Sequence, residues 1–232
     1  METLINQDEF MEAIVERYGW ECLIQFEDFA SHNAYRFLDK YRHKYCMFND
    51  DIQGTAAVAL AGVLTSLRAT GIKLEDNRIL FVGAGQAACG IADLITLAIS
   101  RQANIPFEDA CSRVYMVDVD GLLVDGRPEG QLEGPKEKYV KKNLKPTRDL
   151  TEAIAQVKPT ILIGATGAGK LFSAASLRKM AELNEKPLIF ALSNPTSKAE
   201  CTAEEAYINV SKFFLNVFFF DKNFLFSFKK KK

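Results

Sequence analysis

A glycine turn between an apolar strand and a helix is the feature that most constrains the fold. Residues 83–88 read Gly-Ala-Gly-Gln-Ala-Ala, a G-x-G-x-x-A pattern, and they directly follow the apolar run RILFV at 78–82. The residues after the turn, up to 99, have the composition of a helix. The pattern predicts a strand, a tight turn and a helix whose free N–H groups face an anion.

The turn residues have separate predicted roles. Gly83 permits the tight turn, Gly85 lets the backbone approach a pyrophosphate, and Ala88 lets the helix lie close to the sheet. Asp118 ends the next apolar run, where a carboxylate would accept hydrogen bonds from ribose hydroxyls. It follows Gly83 by 35 residues, against the usual ~20, so we expect a long helix or loop between them. The alternative is a glycine turn without a nucleotide. We predict that a dinucleotide binds Asp118 and the residues of the turn, which are Gly83, Ala84, Gly85, Gln86, Ala87 and Ala88.

Strands and helices alternate along most of the chain. The later predicted strands are 114–118, 160–165 and 187–193, and the later predicted helices are 149–157, 173–183 and one that begins near Thr202. This alternation predicts a doubly wound, Rossmann-like parallel sheet with helices on both faces.

The N-terminal segment has a different organisation. It is predicted to contain a helix at 8–18, a strand at 21–26, a helix at 31–43 and a turn-rich break from Cys46 to Asp51. We expect 1–50 to belong to an incomplete second domain and 51–207 to form the NAD(P)-binding domain.

The C-terminal residues 208–232 depart in composition from the rest. Eight of the 17 phenylalanines lie between 208 and 228, and the chain ends in four lysines. Charged residues interrupt this run, which disfavours a membrane anchor. Our interpretation is an aberrant, Phe/Lys-rich tail, such as an out-of-frame end.

Composition excludes several classes of function. The formal net charge is −1, so there is no basic field for nucleic acid. We predict no transmembrane helix, no membrane partner and no targeting segment in these residues. The five cysteines form no C-x-x-C pair, which is typical of free thiols in a reducing compartment. The expected location is the cytoplasm or the mitochondrial matrix.

A second glycine loop resembles a different nucleotide motif. Residues 164–170 read GATGAGK, which matches G-x-x-x-x-G-K, but Leu171 stands where a P-loop needs Ser or Thr for Mg²⁺. A P-loop phosphotransferase is therefore disfavoured. We expect this loop to border the dinucleotide instead, with Gly167 as a cofactor-binding residue.

Two acidic pairs follow apolar runs, Glu27-Asp28 after CLIQF and Asp50-Asp51 after CMFN. Clustered carboxylates repel unless a cation neutralises them, and oxygen ligands suit Mg²⁺ or Mn²⁺. Spacing alone leaves ordinary surface acids as an alternative.

The chain resembles malic enzymes from about residue 8 to residue 207, and five segments carry the resemblance. They are QFEDF (25–29), FNDDIQGTAAVALAGVL (48–64), GAGQAACGIA (83–92), GATGAGKLF (164–172) and FALSNPTSKAECTAEEAY (190–207). The resemblance implies the divalent-metal-dependent oxidative decarboxylation of malate to pyruvate and CO₂, with reduction of NAD or NADP.

The resemblance also implies roles for individual residues. Glu27, Asp28 and Asp51 match the metal ligands, and Asp50 matches a catalytic carboxylate. Asn194 matches an amide that contacts the substrate and borders the cofactor.

Other implications concern the cofactor and the assembly. Lys136 aligns with a lysine that favours NADP, while a solvated loop lysine is the alternative. The family's base and acid, a Lys and a Tyr, lie in an N-terminal half outside these 232 residues. We therefore expect little malic activity from the chain alone, and a homo-tetrameric full-length parent. A non-catalytic NAD(P)-binding fragment and a malolactic-type relative remain as alternatives.

Overall fold

A computed structural model describes residues 7–210 and 216–219. The strands, in chain order, are β1 (Ile24–Phe26), β2 (Met47–Asn49), β3 (Ile79–Val82), β4 (Val114–Asp118), β5 (Gly121–Leu122), β6 (Ile161–Gly164), β7 (Leu188–Ala191) and β8 (Asn216–Phe219). The α-helices are α1 (Gln7–Tyr18), α2 (Ser31–Tyr41), α3 (Thr55–Thr70), α4 (Gln86–Ala103), α5 (Phe107–Ala110), α6 (Leu150–Val157), α7 (Ala174–Leu183) and α8 (Ala203–Val210). The predicted elements of the main sheet are confirmed, with shifts of a few residues at their ends.

The main sheet has the strand order β5-β4-β3-β6-β7-β8, and every neighbouring pair is parallel except β4 and β5. From β3 the chain passes to β4 on one side, and β6 then lies on the other side, so the strand order reverses at β3. Val82 pairs with both Val117 and Gly164, which aligns the carboxyl ends of the three strands. A crevice for ligands is expected at this switch point. The predicted Rossmann-like class is confirmed.

Two apolar cores cover the two faces of the sheet. Because alternate strand residues point to opposite faces, Ile79 and Phe81 lie in one core while Leu80 and Val82 lie in the other. Helices α3 and α4 complete the first core, and α6, α7 and α8 complete the second. The strands are therefore buried on both sides, which explains their continuous apolar runs.

The N-terminal segment packs around its own small core. Strands β1 and β2 pair in parallel, and Met11, Phe26, Phe37 and Tyr41 are buried between the helices and this pair. The prediction of a turn-rich break at 46–51 was wrong for the residues that form β2. Three residues are too few to show the alternation of apolar and polar residues that marks a strand. Their conformation is therefore determined by their pairing with β1.

The long gap between Gly83 and Asp118 has a structural explanation. Helix α4 alone contains 18 residues, and the short α5 follows before β4 begins. The sequence expectation of a long intervening helix is confirmed.

The segment Asp50–Thr70 is apolar and long enough to cross a membrane by length and composition, the one such helix in the described part of the chain. The stripe of α3 that packs in the core contains Ala56, Ala59, Gly62, Val63, Ser66 and Leu67. Much of this stripe consists of small residues, and α3 contacts α4 closely along it. A core helix of this composition passes the same test as a membrane span.

The tail lies partly within the described residues. Residues 216–219 form β8, which pairs in parallel with β7, with Leu188 opposite Asn216. The sequence pattern did not predict this strand. Residues 211–215 and 220–232 lie outside the described residues, so the interpretation of 208–232 as an aberrant end stays a prediction.

Candidate functional site

Gly83 begins the turn at the carboxyl end of β3. Its φ is +108°, a backbone conformation that side chains rarely adopt, and a Cβ there would collide with the backbone carbonyl of Ala165. Its N–H donates to the carbonyl of Val117 over 2.8 Å. The turn is thereby held against both β4 and the loop after β6, as the predicted role of Gly83 requires.

Gly85 faces open space. Its φ is −80°, which any residue adopts, and a Cβ at this position would meet no atom within 4 Å. It precedes α4, and because it has no side chain it cannot cap the first N–H groups of that helix. This opening and the helix N-terminus form a place where a phosphate can approach the backbone. Ala88 is fully buried against the sheet.

Asp118 is saturated with hydrogen bonds. One carboxylate oxygen accepts from Arg127 Nη1 at 2.7 Å and from the N–H of Asp120 at 2.9 Å. The other accepts from Arg127 Nη2 at 2.9 Å and from Lys136 Nζ at 2.7 Å. A carboxylate offers about four lone-pair sites, so a ribose hydroxyl must displace one of these donors. Ribose binding by Asp118 stays a prediction with that condition.

The charge state of Asp118 follows from these contacts. Burial raises its pKa, but the hydrogen bonds from Arg127 and Lys136 outweigh burial and lower the pKa to about 2. The side chain is 10% exposed. Two cations thus surround one anion, and this cluster carries one net positive charge at neutral pH.

Arg127 was missed by the sequence analysis. Besides Asp118, its guanidinium donates to the carbonyls of Gly121 and Gln131, and Nε is buried without a partner. It therefore fixes the loop after β5 over the end of β4. A single arginine in an irregular polar segment gives no sequence signal for this role.

The loop after β6 is not a phosphate cradle. The N–H groups of Thr166 and Gly167 both donate to Ser193 Oγ at 2.9 Å. Ala168 N–H donates to the hydroxyl of Thr166 at 3.0 Å, and Lys170 N–H donates to the carbonyl of Ala199 at 2.9 Å. A P-loop needs its amides free for phosphate oxygens, so the structure disfavours the P-loop alternative for GATGAGK. Gly167 itself is exposed at the crevice end of the sheet.

Glu200 is a second residue that the sequence analysis missed. Its side chain is fully buried, and its carboxylate accepts hydrogen bonds from Thr166 and Ser193. Asn194 directly follows Ser193 and is exposed. The loops after β6 and β7 are therefore joined beneath the two residues, Gly167 and Asn194, that the sequence assigns to the site.

The acidic segments meet at one point. Asp28 adopts a φ of +60°, and its N–H donates to Asp51 Oδ2 over 2.9 Å. Glu27 Oε2 accepts from the side chain of Gln25 instead. Within the described ranges, no group of three His, Cys, Asp or Glu side chains is arranged to hold a metal. The structure brings Asp51 to Asp28 but does not assemble the predicted ligand set, and the metal site stays a prediction.

The turn that carries Asp50 and Asp51 is a single π-helical turn, Asp50–Gly54. Asn49 is fully buried and its side chain accepts from the N–H of Ile52 at 2.9 Å, which caps the turn. A Cβ on Gly54 would collide with the carboxylate of Asp50, so Gly54 leaves room for that side chain.

A hydrogen bond joins the N-terminal segment to the glycine turn. Tyr35 on α2 donates to the carbonyl of Gln86 at 3.1 Å. Burial raises the pKa of Tyr35, so the phenol stays protonated and remains a donor. Helix α2 of the N-terminal segment is thus held against the glycine turn.

Comparison with known families covers most of the chain. Residues 52–213 match the family described as malic enzyme, NAD binding domain, and residues 2–42 match malic enzyme, N-terminal domain.

Named relatives agree with these matches. The chain is 53% identical over 200 residues to the NADP-dependent malic enzyme of Homo sapiens, which covers 86% of this chain and 34% of that protein. The enzyme of the same name from Columba livia is 52% identical over 200 residues, with 86% and 35% covered. The chain thus spans about a third of the length of these relatives.

Solved structures give the same result for the fold. The Entamoeba histolytica malic enzyme matches with a TM-score of 0.71 and 25% identity, over 94% of this chain and 42% of that one. The NAD-dependent malic enzyme of Thermotoga maritima matches with a TM-score of 0.72 and 23% identity, over 94% and 53%. The glycine turn at the switch point and the match over residues 52–213 together show that this chain belongs to the malic enzyme family.

Proposed function

We propose that this chain provides the NADP-binding part of an enzyme that oxidises and decarboxylates malate to pyruvate and CO₂. The observation that carries the proposal is the open Gly85 position beside the uncapped start of α4, at the switch point of the sheet. A dinucleotide pyrophosphate at this helix terminus would be held by backbone N–H groups and the helix dipole.

The cluster around Asp118 supports NADP over NAD. NAD recognition uses a free acidic acceptor for the ribose hydroxyls, whereas NADP recognition uses a cation near the 2′-phosphate. Here the acceptor sites of Asp118 are filled by Arg127 and Lys136. Lys136 has 20% of its side chain exposed, so it is the cation that reaches a phosphate by changing partner.

The proposed chemistry divides between the cofactor and the residues of the crevice. A nicotinamide cofactor bound in the crevice would supply the hydride acceptor for the oxidation of malate at C2. We propose that Asn194 hydrogen-bonds the substrate through its amide. We also propose that Asp50 orients the substrate or relays a proton.

A divalent cation is part of the proposal. Glu27, Asp28 and Asp51 would supply oxygen ligands of the kind that Mg²⁺ and Mn²⁺ prefer. When bound, such a cation would stabilise negative charge as CO₂ departs. The support for this metal is the resemblance of these segments to malic enzymes and the contact between Asp28 and Asp51.

A fluorescence titration tests the cofactor. We expect the purified chain to bind NADPH more tightly than NADH, by roughly tenfold, the usual worth of one charged hydrogen bond. If neither NADPH nor NADH binds, the proposal is wrong.

A product assay tests the reaction. We expect little turnover with malate, Mn²⁺ and NADP, because the resemblance assigns the acid and base to segments outside these residues. Pyruvate formed together with NADPH would support the malate proposal and contradict the expected inactivity. Lactate without net NADPH would instead favour a malolactic-type relative.

A further inference from the structure

Glu200 is a carboxylate buried between two loops of the crevice. Its exposure is 0%, and all of its described donors come from two residues, Thr166 and Ser193. The N–H and hydroxyl of Thr166 donate at 3.1 and 2.8 Å. The N–H of Ser193 donates at 3.3 Å, and its hydroxyl donates at 2.5 Å. These four donor groups supply hydrogen bonds to both oxygens of the buried carboxylate.

The position of the Glu200 carboxylate is fixed by its contact with the end of β6. A Cβ on Gly164, the last residue of β6, would collide with the Glu200 carboxyl group. The carboxylate therefore sits directly on the backbone of β6. From there it accepts hydrogen bonds from Ser193, the second residue after β7. It therefore holds the carboxyl ends of two neighbouring strands, β6 and β7, together.

Glu200 also sets the orientation of the Ser193 hydroxyl. Because this hydroxyl donates to Glu200, its lone pairs are free to accept the N–H groups of Thr166 and Gly167, both at 2.9 Å. One proton position thus determines three hydrogen bonds. Without the carboxylate acceptor, the hydroxyl can rotate and these amides lose a fixed partner.

The loops concerned lie on one side of the crevice. In an open sheet of this kind the acid at the end of the second strand, here Asp118 on β4, marks the adenosine half of the dinucleotide. Strands β6 and β7 lie on the other side of β3. The loops that Glu200 holds would therefore border the nicotinamide half of a bound dinucleotide.

We propose that Glu200 is a positioning residue, which places Gly167 and Asn194 against the nicotinamide half of the bound cofactor without touching it. This inference rests on the proposed function, because it needs a dinucleotide in the crevice. Its distinguishing consequence is that losing the carboxylate weakens contacts to only one half of the cofactor.

The test compares two charge-neutralising variants of the full 232-residue chain. Glu200→Gln puts an NH₂ group among four donors. Glu204→Gln makes the same chemical change on an exposed residue of α8. Each variant is titrated by calorimetry with NADPH and with 2′-phospho-ADP-ribose, which lacks the nicotinamide ring.

We expect Glu200→Gln to weaken NADPH binding by about tenfold and to change 2′-phospho-ADP-ribose binding by less than about twofold. Glu204→Gln should change neither. Unchanged NADPH binding by Glu200→Gln, or an equal loss of both probes in a folded variant, would overturn the inference. If the unsubstituted chain binds neither probe, the proposed function fails first and this inference fails with it.

A second variant covers the case in which Glu200→Gln does not unfold cooperatively. Ser193→Ala removes the hydroxyl but leaves the carboxylate with the donors of Thr166 and the N–H of residue 193. It should weaken NADPH binding by about fivefold while sparing 2′-phospho-ADP-ribose. Wild-type binding of NADPH by Ser193→Ala would overturn the inference in that case.

Discussion

Gly90 of α4 lies directly against the backbone of Ile52. A Cβ on Gly90 would come within 2.5 Å of the Ile52 carbonyl oxygen and 3.0 Å of its Cγ2. Ile52 is the centre of the turn that carries Asp50 and Asp51, and α4 is the helix that begins at the glycine turn. The absence of a side chain at Gly90 therefore determines how closely the turn that carries Asp50 and Asp51 approaches α4.

The first prediction concerns this contact. Gly90→Ala should destabilise the chain by about 1–3 kcal/mol through overpacking against backbone, although alanine favours a helix by roughly 1 kcal/mol. The measurement is the free energy of unfolding in urea. Gly85→Ala is the control, because its Cβ meets nothing within 4 Å, and its effect should stay within about 0.5 kcal/mol. Equal effects of the two variants would contradict the contact.

The second prediction separates folding from binding at Gly85. The free energy of unfolding of Gly85→Val should lie within about 1 kcal/mol of that of the unsubstituted chain, since the site is open and its φ of −80° is ordinary. The valine would nevertheless fill the space that a pyrophosphate needs, so NADPH affinity should fall at least about tenfold. Fluorescence titration measures this loss. Undiminished binding would show that the phosphate does not pass over Gly85.

The sequence predicted those parts of the fold that local signals encode. The G-x-G-x-x-A turn defined β3 and α4. At the start of α8, Thr202 and Glu205 lie three residues apart and cap the helix through reciprocal hydrogen bonds. Asp149 likewise caps α6 by accepting from the N–H of Glu152. Each of these features depends on residues that are close together in the chain, so a pattern reveals it.

The parts that the sequence did not predict depend on distant contacts. Strand β2 forms only by pairing with β1. Glu200 meets Thr166 across 34 positions, and Arg127 meets Asp118 from within an irregular loop. Such partners have no fixed spacing in sequence, and a buried Glu or Arg has the same letter as a solvated one. Tertiary packing therefore decides their roles.

The third prediction concerns pH. The folded pKa of Asp118 is about 2, below its ordinary value of 3.8, so the ionised form stabilises the fold. Asp118→Asn should therefore cost about 2 kcal/mol at neutral pH. That difference should persist above pH 3.8 and disappear as the pH falls towards about 2. Urea unfolding of both chains across this range measures it.

The control for this titration is Asp120→Asn. Asp120 has 30% of its side chain exposed and pairs with Arg148 at 3.4 Å. An exposed pair of this kind contributes little, so the variant should differ by less than about 1 kcal/mol at any pH. A pH-independent cost of Asp118→Asn would mean that packing, rather than the ion pairs, stabilises this position.

The fourth prediction concerns cofactor choice at Lys136. Its Nζ donates to Asp118 at 2.7 Å, and Arg127 already pairs with the same carboxylate. Removing Lys136 therefore leaves Asp118 paired, while it removes the cation that we propose binds the 2′-phosphate. Lys136→Gln should weaken NADPH binding about tenfold, and NADH binding should stay the same or strengthen as an acceptor site of Asp118 becomes free.

Lys138→Gln is the matched control for this prediction. Lys138 lies two residues away, with 37% of its side chain exposed, and it pairs with Asp93 on α4 instead of Asp118. It should leave the ratio of NADPH to NADH affinity unchanged. Because both variants remove one positive charge from the same loop, a general field effect would lower NADPH affinity equally in both. If Lys136 makes a specific contact, the ratio of NADPH to NADH affinity should change only in Lys136→Gln. Equal losses of NADPH affinity in both variants would show that the overall charge of the loop causes the preference for NADPH.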